Sequence, residues 1–181
     1  MSIVLVGSTS GSVTLQEPAV AGTTVLTLPA VSGTVLTTTS PKAGNVLQVV
    51  NVVYSTVVSS TTSTYVDTGL SASITPSSSS SKILVLVDQG GIGKQTNNTR
   101  IQLQLLRGAS SIQVIDVGIG AFTNSTATNF IGSISLAYLD SPATTSSTTY
   151  KTQFASRSNS DGVFVQTDGS ASSITLMEIA A

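Results

Sequence analysis

Apolar and polar residues alternate along most of this chain, or the apolar ones form short β-branched runs. No stretch shows a convincing helical period, so the pattern is typical of β-strands. The segment RIQLQLL is the clearest case, because Ile101, Leu103 and Leu105 share one face and two glutamines occupy the other. We therefore expect an all-β protein.

Nine or ten strands are predicted from about residue 45 onward, and eight of them are assigned to definite segments. They are Val46–Val58, Lys82–Asp88, Arg100–Leu106, Ser111–Gly120, Ile131–Leu139, Thr149–Ser156, Gly162–Thr167 and Ser173–Ile179. The first two are apolar on both faces, which favours central strands. In the fourth, the alternation shifts by one residue at Val114 and Ile115, which predicts a β-bulge.

Turn-forming residues separate these segments. Asp88–Thr99 and Asp140–Thr148 are predicted as polar loops, and Asp168-Gly169 as a tight turn. Short strands joined by such turns predict an antiparallel, jelly-roll-like β-sandwich over residues 43–181.

The first 42 residues carry an eleven-residue repeat. Gly11, Gly22 and Gly33 are evenly spaced, and the tripeptide Pro-Ala-Val recurs at Pro18 and Pro29. The predicted short strands of the repeat are Val13–Leu15, Val25–Leu28 and Val35–Leu36. Such short strands are marginal alone, so we expect either a β-prism stalk shared by three chains or an arm that lies on another protein. Residues 1–42 are thus predicted to be an attachment or stalk segment.

The low charge of the chain favours an assembled protein. Charged residues make up 8% of the sequence, against about 25% in ordinary globular domains. The net charge of −1 gives little protection against association, so we expect a homotrimer. Seven scattered Lys and Arg residues argue against nucleic acid as a partner. A membrane-spanning helix needs about 20 apolar residues. No apolar run in the sequence approaches that length, so membrane insertion is not expected.

Two parts of the sequence resemble structural fibre proteins of tailed bacteriophages, especially those of marine and cyanobacterial hosts. The first is GSVTLQEPAVAGTTVLTLPAVSGTVLT, beginning at Gly11. The second comprises Tyr54–Val85 and the closing SSITLMEIAA. The resemblance implies a homotrimeric virion fibre, attached to other virion proteins through its N-terminal segment and ending in a β-sandwich tip. It supplies no catalytic or receptor-binding residues.

The composition argues against catalysis. Histidine and cysteine are absent, so most nucleophilic sites and thiolate metal sites are excluded, and no cofactor or metal is expected. GGIGKQT (Gly90–Thr96) lacks the spacing of a phosphate-binding loop. The acidic residues are scattered, and a glycosidase pair would have to be brought together by the fold. We expect a protein that is not an enzyme.

The predicted recognition site is the polar segment between two aromatic residues, with Phe122, Asn124, Asn129 and Phe130 as candidate contacts to the host surface. Amide groups exchange hydrogen bonds with sugar hydroxyls, and an exposed ring stacks on a sugar. The expected ligand is a host glycan or lipopolysaccharide. The alternative for the two phenylalanines is a place in the core.

Three functions follow from these observations. The first is a tail fibre that binds the host cell. The second is a capsid head fibre or decoration protein with a structural role. The third, a depolymerase spike, is weakened by the small size of the chain and the scattered acids. The expected location is the virion, on the tail or on the capsid surface.

Overall fold

The computed structural model describes residues 3–6, 9–15, 42–95, 99–119, 130–157 and 162–181. The chain divides into two compact units, Met1–Val35 and Leu36–Ala181. In the first unit, β1 (Ile3–Val6) and β2 (Ser12–Leu15) form an antiparallel hairpin. The predicted strand Val13–Leu15 is therefore confirmed. Residues 16–41, which carry the other two predicted repeat strands, lie outside the described residues.

The described strands of the second unit all pair antiparallel. They are β3 (Val46–Tyr54), β4 (Val58–Ser60), β5 (Val66–Ile74), β6 (Lys82–Lys94), β7 (Ile101–Arg107), β8 (Ser110–Ile119), β9 (Phe130–Asp140), β10 (Thr148–Ser156), β11 (Val163–Val165) and β12 (Ser172–Ile179). One sheet has the order β5-β10-β7-β8. The other has the order β3-β12-β6-β11-β4, with β9 paired to β6. The two sheets pack as a sandwich, so the predicted all-β sandwich is confirmed.

Several local predictions are confirmed by the strand registers. Ile101, Leu103 and Leu105 all face the core and are fully buried. The bulge in β8 is present, because consecutive residues of β7 pair with Asp116 and then Val114, which leaves Ile115 as the extra residue. The predicted tight turn at Asp168-Gly169 falls in a short 3₁₀ turn.

Two strand predictions were wrong. Asp88–Thr99 was expected to be a polar loop, but β6 continues through Lys94. Val46–Val58 was expected to be one strand, but β3 ends at Tyr54 and β4 begins at Val58. In addition, β5 was not among the eight assigned segments, although its alternating residues line the core.

A glycine pair explains why β6 extends beyond the expected end. β11 and β12 pair with different parts of β6, and residues 166–171 between them turn away from regular pairing. A Cβ at Gly90 would lie 2.3 Å from the carbonyl oxygen of Ala171, and one at Gly91 would lie 2.4 Å from the nitrogen of Thr167. The backbones therefore approach too closely for any side chain at these two positions.

The core consists of two apolar clusters. The larger one contains Leu70, Ala72, Ile74, Ile83, Val85, Val87, Leu105, Tyr150, Ile174 and Leu176. The smaller one contains Ile92, Ile101, Leu103, Phe154, Val163 and Val165. The two clusters occupy successive levels along the strands, since β10 contributes Tyr150 to the first and Phe154 to the second.

A fully buried hydrogen-bonded layer lies between the two clusters and joins the sheets. In the four-stranded sheet, Thr68 Oγ1 lies 2.6 Å from Thr152 Oγ1. Thr152 Oγ1 donates across the sandwich to Gln89 Oε1 at 2.9 Å. Gln89 Nε2 then donates to Ser172 Oγ at 2.8 Å. We call Thr68, Thr152, Gln89 and Ser172 the polar layer; its polar groups find partners across the sheets rather than in water.

The polar layer makes Ser172 a sensitive position. Its Oγ is the convergence point for Gln89 Nε2, the Gly90 backbone N–H and Gln166 Nε2. We expect Ser172→Ala to lower the free energy of unfolding by about 3 kcal/mol, because buried donors lose their acceptor. The matched control is Ser173→Ala on the outer face, expected to change stability by less than about 0.5 kcal/mol. Urea unfolding of the two variants tests this, and equal stabilities would contradict it.

Candidate functional site

The connections between strands emerge at two opposite ends of the sandwich. Residues 42–45 join β3 at one end, which we call the proximal end. There Gly44 N donates to the Ala180 carbonyl, and Ala180 N donates to the Asn45 carbonyl. The connections 75–81 and 141–147 also lie at the proximal end. Strands β6, β8 and β10 end at the opposite, distal end. The predicted polar loop Asp140–Thr148 therefore lies at the proximal end, away from the strand ends that flank residues 120–129.

A buried carboxylate organises the proximal end. Glu178 is fully buried, and its Oε1 accepts hydrogen bonds from Ser77 N at 2.8 Å and Ser77 Oγ at 2.7 Å. Its Oε2 accepts from Gln48 Nε2, and Ser81 is a further donor. Burial alone would raise the pKa of Glu178, but these donors stabilise the anion and lower the pKa to about 2.

A second buried carboxylate lies in the same row of the sheet. Glu178 and Asp140 pair with Ile83 from opposite sides. Asp140 accepts two hydrogen bonds from Arg107 Nη1, at 3.0 and 2.9 Å, and one from Tyr150 OH at 2.6 Å. Burial and the bond to Asp140 raise the pKa of Tyr150 well above its ordinary value of 10.

The two carboxylates do not look like a catalytic pair. Every carboxylate oxygen of Glu178 and Asp140 accepts at least one hydrogen bond from the protein itself. Their partners connect strands and cover the proximal end, which is a structural task. A general acid or nucleophile needs instead to reach a substrate atom.

Hydrogen bonds to main-chain carbonyl groups hold the described part of the distal end together. Arg157 N donates to the Arg100 carbonyl at 2.8 Å, and Arg157 Nη1 donates to the Val117 carbonyl at 2.6 Å. Lys94 is fully buried, and its Nζ lies 3.3 Å from the Thr99 carbonyl. Burial lowers the pKa of Lys94. These contacts brace the strand ends from which the distal connections start.

The predicted recognition residues belong to the segment that joins β8 to β9 or to the first position of β9. Phe122, Asn124 and Asn129 lie outside the described residues. Phe130 is the first residue of β9, where its backbone pairs with Gly93 near the distal end of β6. The connection that carries the predicted contacts therefore starts and ends at the distal end.

The outer face of the four-stranded sheet carries an ion pair. On the four-stranded sheet, Asp67 is bound by Lys151 Nζ at 2.9 Å and by Gln153 Nε2 at 2.7 Å. These hydrogen bonds lower the pKa of Asp67, although burial works in the opposite direction. The outer face of the six-stranded sheet instead exposes Val49 and Leu139. It contains an open groove of about 460 Å³.

The apolar outer face was not recognised from the sequence. Its signal was the apolar character of both faces of β3 and of the first half of β6. For β6 the expected central position is correct, since it pairs with β9, β11 and β12. β3 ends the described path of its sheet, so a central position does not explain its two apolar faces.

Neither the described residues nor the comparisons with known proteins identify a metal site, a membrane-spanning helix or a family. Among the described residues, no group of three or more acidic, histidine or cysteine side chains is arranged to hold a metal ion. In the same part of the chain, no helix has the length and apolarity that crossing a bilayer requires. No family model matches the sequence, and no curated protein matches it.

The burial and hydrogen bonding of Glu178 make the free energy of unfolding depend on pH. Its folded pKa of about 2 lies below the ordinary value of 4.5, so the stabilisation is complete above pH 4.5 and is lost as the pH falls towards 2. The loss is roughly 3 kcal/mol. We expect Glu178→Gln to be less stable at neutral pH and to lose this part of the acid dependence. Ser77→Ala should shift the acid transition upwards by removing one donor. Urea unfolding at a series of pH values tests this, and an unchanged acid profile in both variants would contradict it.

Proposed function

We propose that this chain is a subunit of a bacteriophage virion fibre that is homotrimeric, is not an enzyme and binds a host-surface glycan or lipopolysaccharide. The resemblance of Gly11–Thr37 and Tyr54–Val85 to phage fibre proteins is the starting point. The observation that carries the proposal is the position of the connections. The chain joins the sandwich at its proximal end, while the connection 120–129 begins and ends at the distal end.

The proximal end suits attachment to the rest of the virion. Tension or docking through residues 1–42 reaches the sandwich at Asn45, beside the hydrogen bonds to Ala180. The distal end then remains available to the host surface. Variable recognition chemistry is usually carried by connections on a rigid scaffold, and the two sheets supply that scaffold.

The N-terminal hairpin supports association with other chains. Val4, Leu5 and Val6 follow one another and are all exposed, Val6 to 80%. A two-stranded hairpin is marginal without further packing, so we assign its apolar side chains to contacts in the assembled fibre. Adjacent virion proteins and two further copies of this chain are the proposed partners.

The second candidate is a capsid head fibre or decoration protein. The apolar outer face of the six-stranded sheet favours it, because a surface of this kind suits contact with protein better than contact with a polar glycan. In this alternative the distal connections have no role in adsorption.

The molecular mass of the native protein tests the proposed trimer. We expect light scattering of the full chain to give a mass of three times 18.3 kDa, or a multiple of that mass. The low charge and the exposed hairpin are the physical reasons. A stable, folded monomer under native conditions would contradict the prediction.

The recognition site is tested by replacing connections at the two ends. Replacing residues 120–129 with a Gly-Ser connector should abolish phage adsorption to host cells while the trimer and its melting temperature are retained. The single variant Phe122→Ala should weaken adsorption, because an aromatic surface for the sugar is lost. The matched control replaces residues 141–147 at the proximal end and should leave adsorption unchanged.

Two outcomes would count against this assignment. If adsorption survives the replacement of residues 120–129, the predicted contacts are not the site. If adsorption survives replacement of the connections at both ends, the structural role on the capsid is favoured.

A further inference from the structure

The outer face of the six-stranded sheet has an ordered pattern of large and small side chains. The strand registers place its outward residues in rows that run across β3, β12, β6 and, in three of the rows, β9. One row contains Val49, Met177, Leu84 and Leu139, all large and apolar. The next row contains Asn51, Thr175, Leu86 and Ala137, which are smaller except for Leu86. A ridge therefore lies beside a shallow groove.

The groove is formed by the small row and the row beyond it. Its lining includes Ala137, Thr175, Ser135 and Ser173, and its volume is about 460 Å³. Two hydrogen bonds within the sheet involve polar side chains of this region: Asn51 Nδ2 donates to Thr175 Oγ1 at 2.7 Å, and Ser135 Oγ donates to Asp88 Oδ1 at 3.4 Å. The groove therefore has the size and the apolar floor to accept side chains such as those of the ridge.

Two opposite charges mark the ends of this face. Lys82 and Asp88 lie on the outer face of β6 and are both exposed; Lys82 is in the row beyond the ridge, and Asp88 is in the second row of the groove, which it helps to line. Six residues of extended strand separate them by about 20 Å. Neither forms a salt bridge within the described part of the chain. The rows between them carry no other charge.

We propose that this face binds the same face of a second copy of the chain about a two-fold axis, with the two β6 strands antiparallel. The axis passes near Val85, midway between the ridge and the groove. It brings the ridge of each copy over the groove of the other. Large side chains then oppose small ones, Met177 facing the second copy's Thr175 and Leu139 facing the second copy's Ala137.

The same axis pairs the charges. Lys82 of each copy meets Asp88 of the other, so one contact contains two equivalent ion pairs at its edges. An arrangement with parallel strands, such as three faces around a three-fold axis, brings Lys82 to the level of other Lys82 side chains instead. The charge pattern therefore favours the two-fold contact.

This contact is separate from the three-fold association proposed for the fibre and does not rest on it. A two-fold contact joins copies that belong to different trimers, or two chains if no trimer forms. The hydrophobic rows, rather than the ion pairs, supply most of the affinity, because exposed ion pairs contribute about 0.2–1 kcal/mol each.

Engineered cysteines test the geometry in the full chain, which has no cysteine of its own. One variant carries both Lys82→Cys and Asp88→Cys. It is treated with a bis-maleimide whose length matches the spacing of about 10 Å between packed sheets. The reagent is too short to join the two positions within one chain. We expect covalent dimers on a denaturing gel, whether or not the native protein is trimeric.

Single-cysteine variants are the matched controls. Lys82→Cys alone and Asp88→Cys alone should not cross-link, because like positions lie about 20 Å apart across the two-fold contact. A mixture of the two should give dimers that contain one of each. Cross-linking of Lys82→Cys with itself, a ladder that includes covalent trimers, or monomers only would each overturn the proposal.

Charge reversal distinguishes a second copy from any other partner. Lys82→Glu and Asp88→Lys should each weaken self-association about tenfold in sedimentation equilibrium, since each creates two like-charge contacts. The double variant should restore the affinity of the natural chain. Thermal unfolding confirms that all variants are folded. A double variant no tighter than the single reversals would overturn the proposal, and so would single reversals without effect.

Discussion

The hydrogen bonds of the polar layer fix how the two sheets sit on one another. Apolar side chains alone tolerate many ways of packing, since burial is not directional. Thr152 and Gln89 instead meet at one distance and one level, and a shift of either sheet leaves Gln89 Oε1 buried without the hydrogen bond from Thr152. This constraint separates the two apolar clusters and holds Ser172 beside the Gly90 backbone. The two ends of the sandwich lie on opposite sides of this layer.

Much of the sandwich could be predicted because its strands alternate strictly. β7 and β12 are examples, and the one-residue shift in alternation correctly located the bulge in β8. The alternation along β12 also predicts a buried acidic residue, because Glu178 follows Ile174 and Leu176 on the inward face. That signal was available, but only the donors Gln48 and Ser77, distant in sequence, explain why a carboxylate is stable there.

Long-range contacts account for what could not be predicted. Gly90 and Gly91 look like loop residues, yet they lie in a strand because Thr167 and Ala171 approach their backbones. β5 was missed because its outward residues are small and polar, and its pairing with β10 is not visible locally. The candidate recognition residues were proposed from residue type alone. Their connection can be assigned to the distal end only through the registers of β8 and β9.

The pairing of β3 with β12 has a mechanical consequence. The two strands are antiparallel and stay in register from Tyr54 opposite Ser172 to Gln48 opposite Glu178. If the proposed function holds, the chain is held through residue 45 while a bound surface pulls at the distal end, and tension runs along these strands. The hydrogen bonds between them are then loaded together in shear instead of being opened one after another. The sandwich would therefore resist a force along β3 better than a force that peels β3 away from β12.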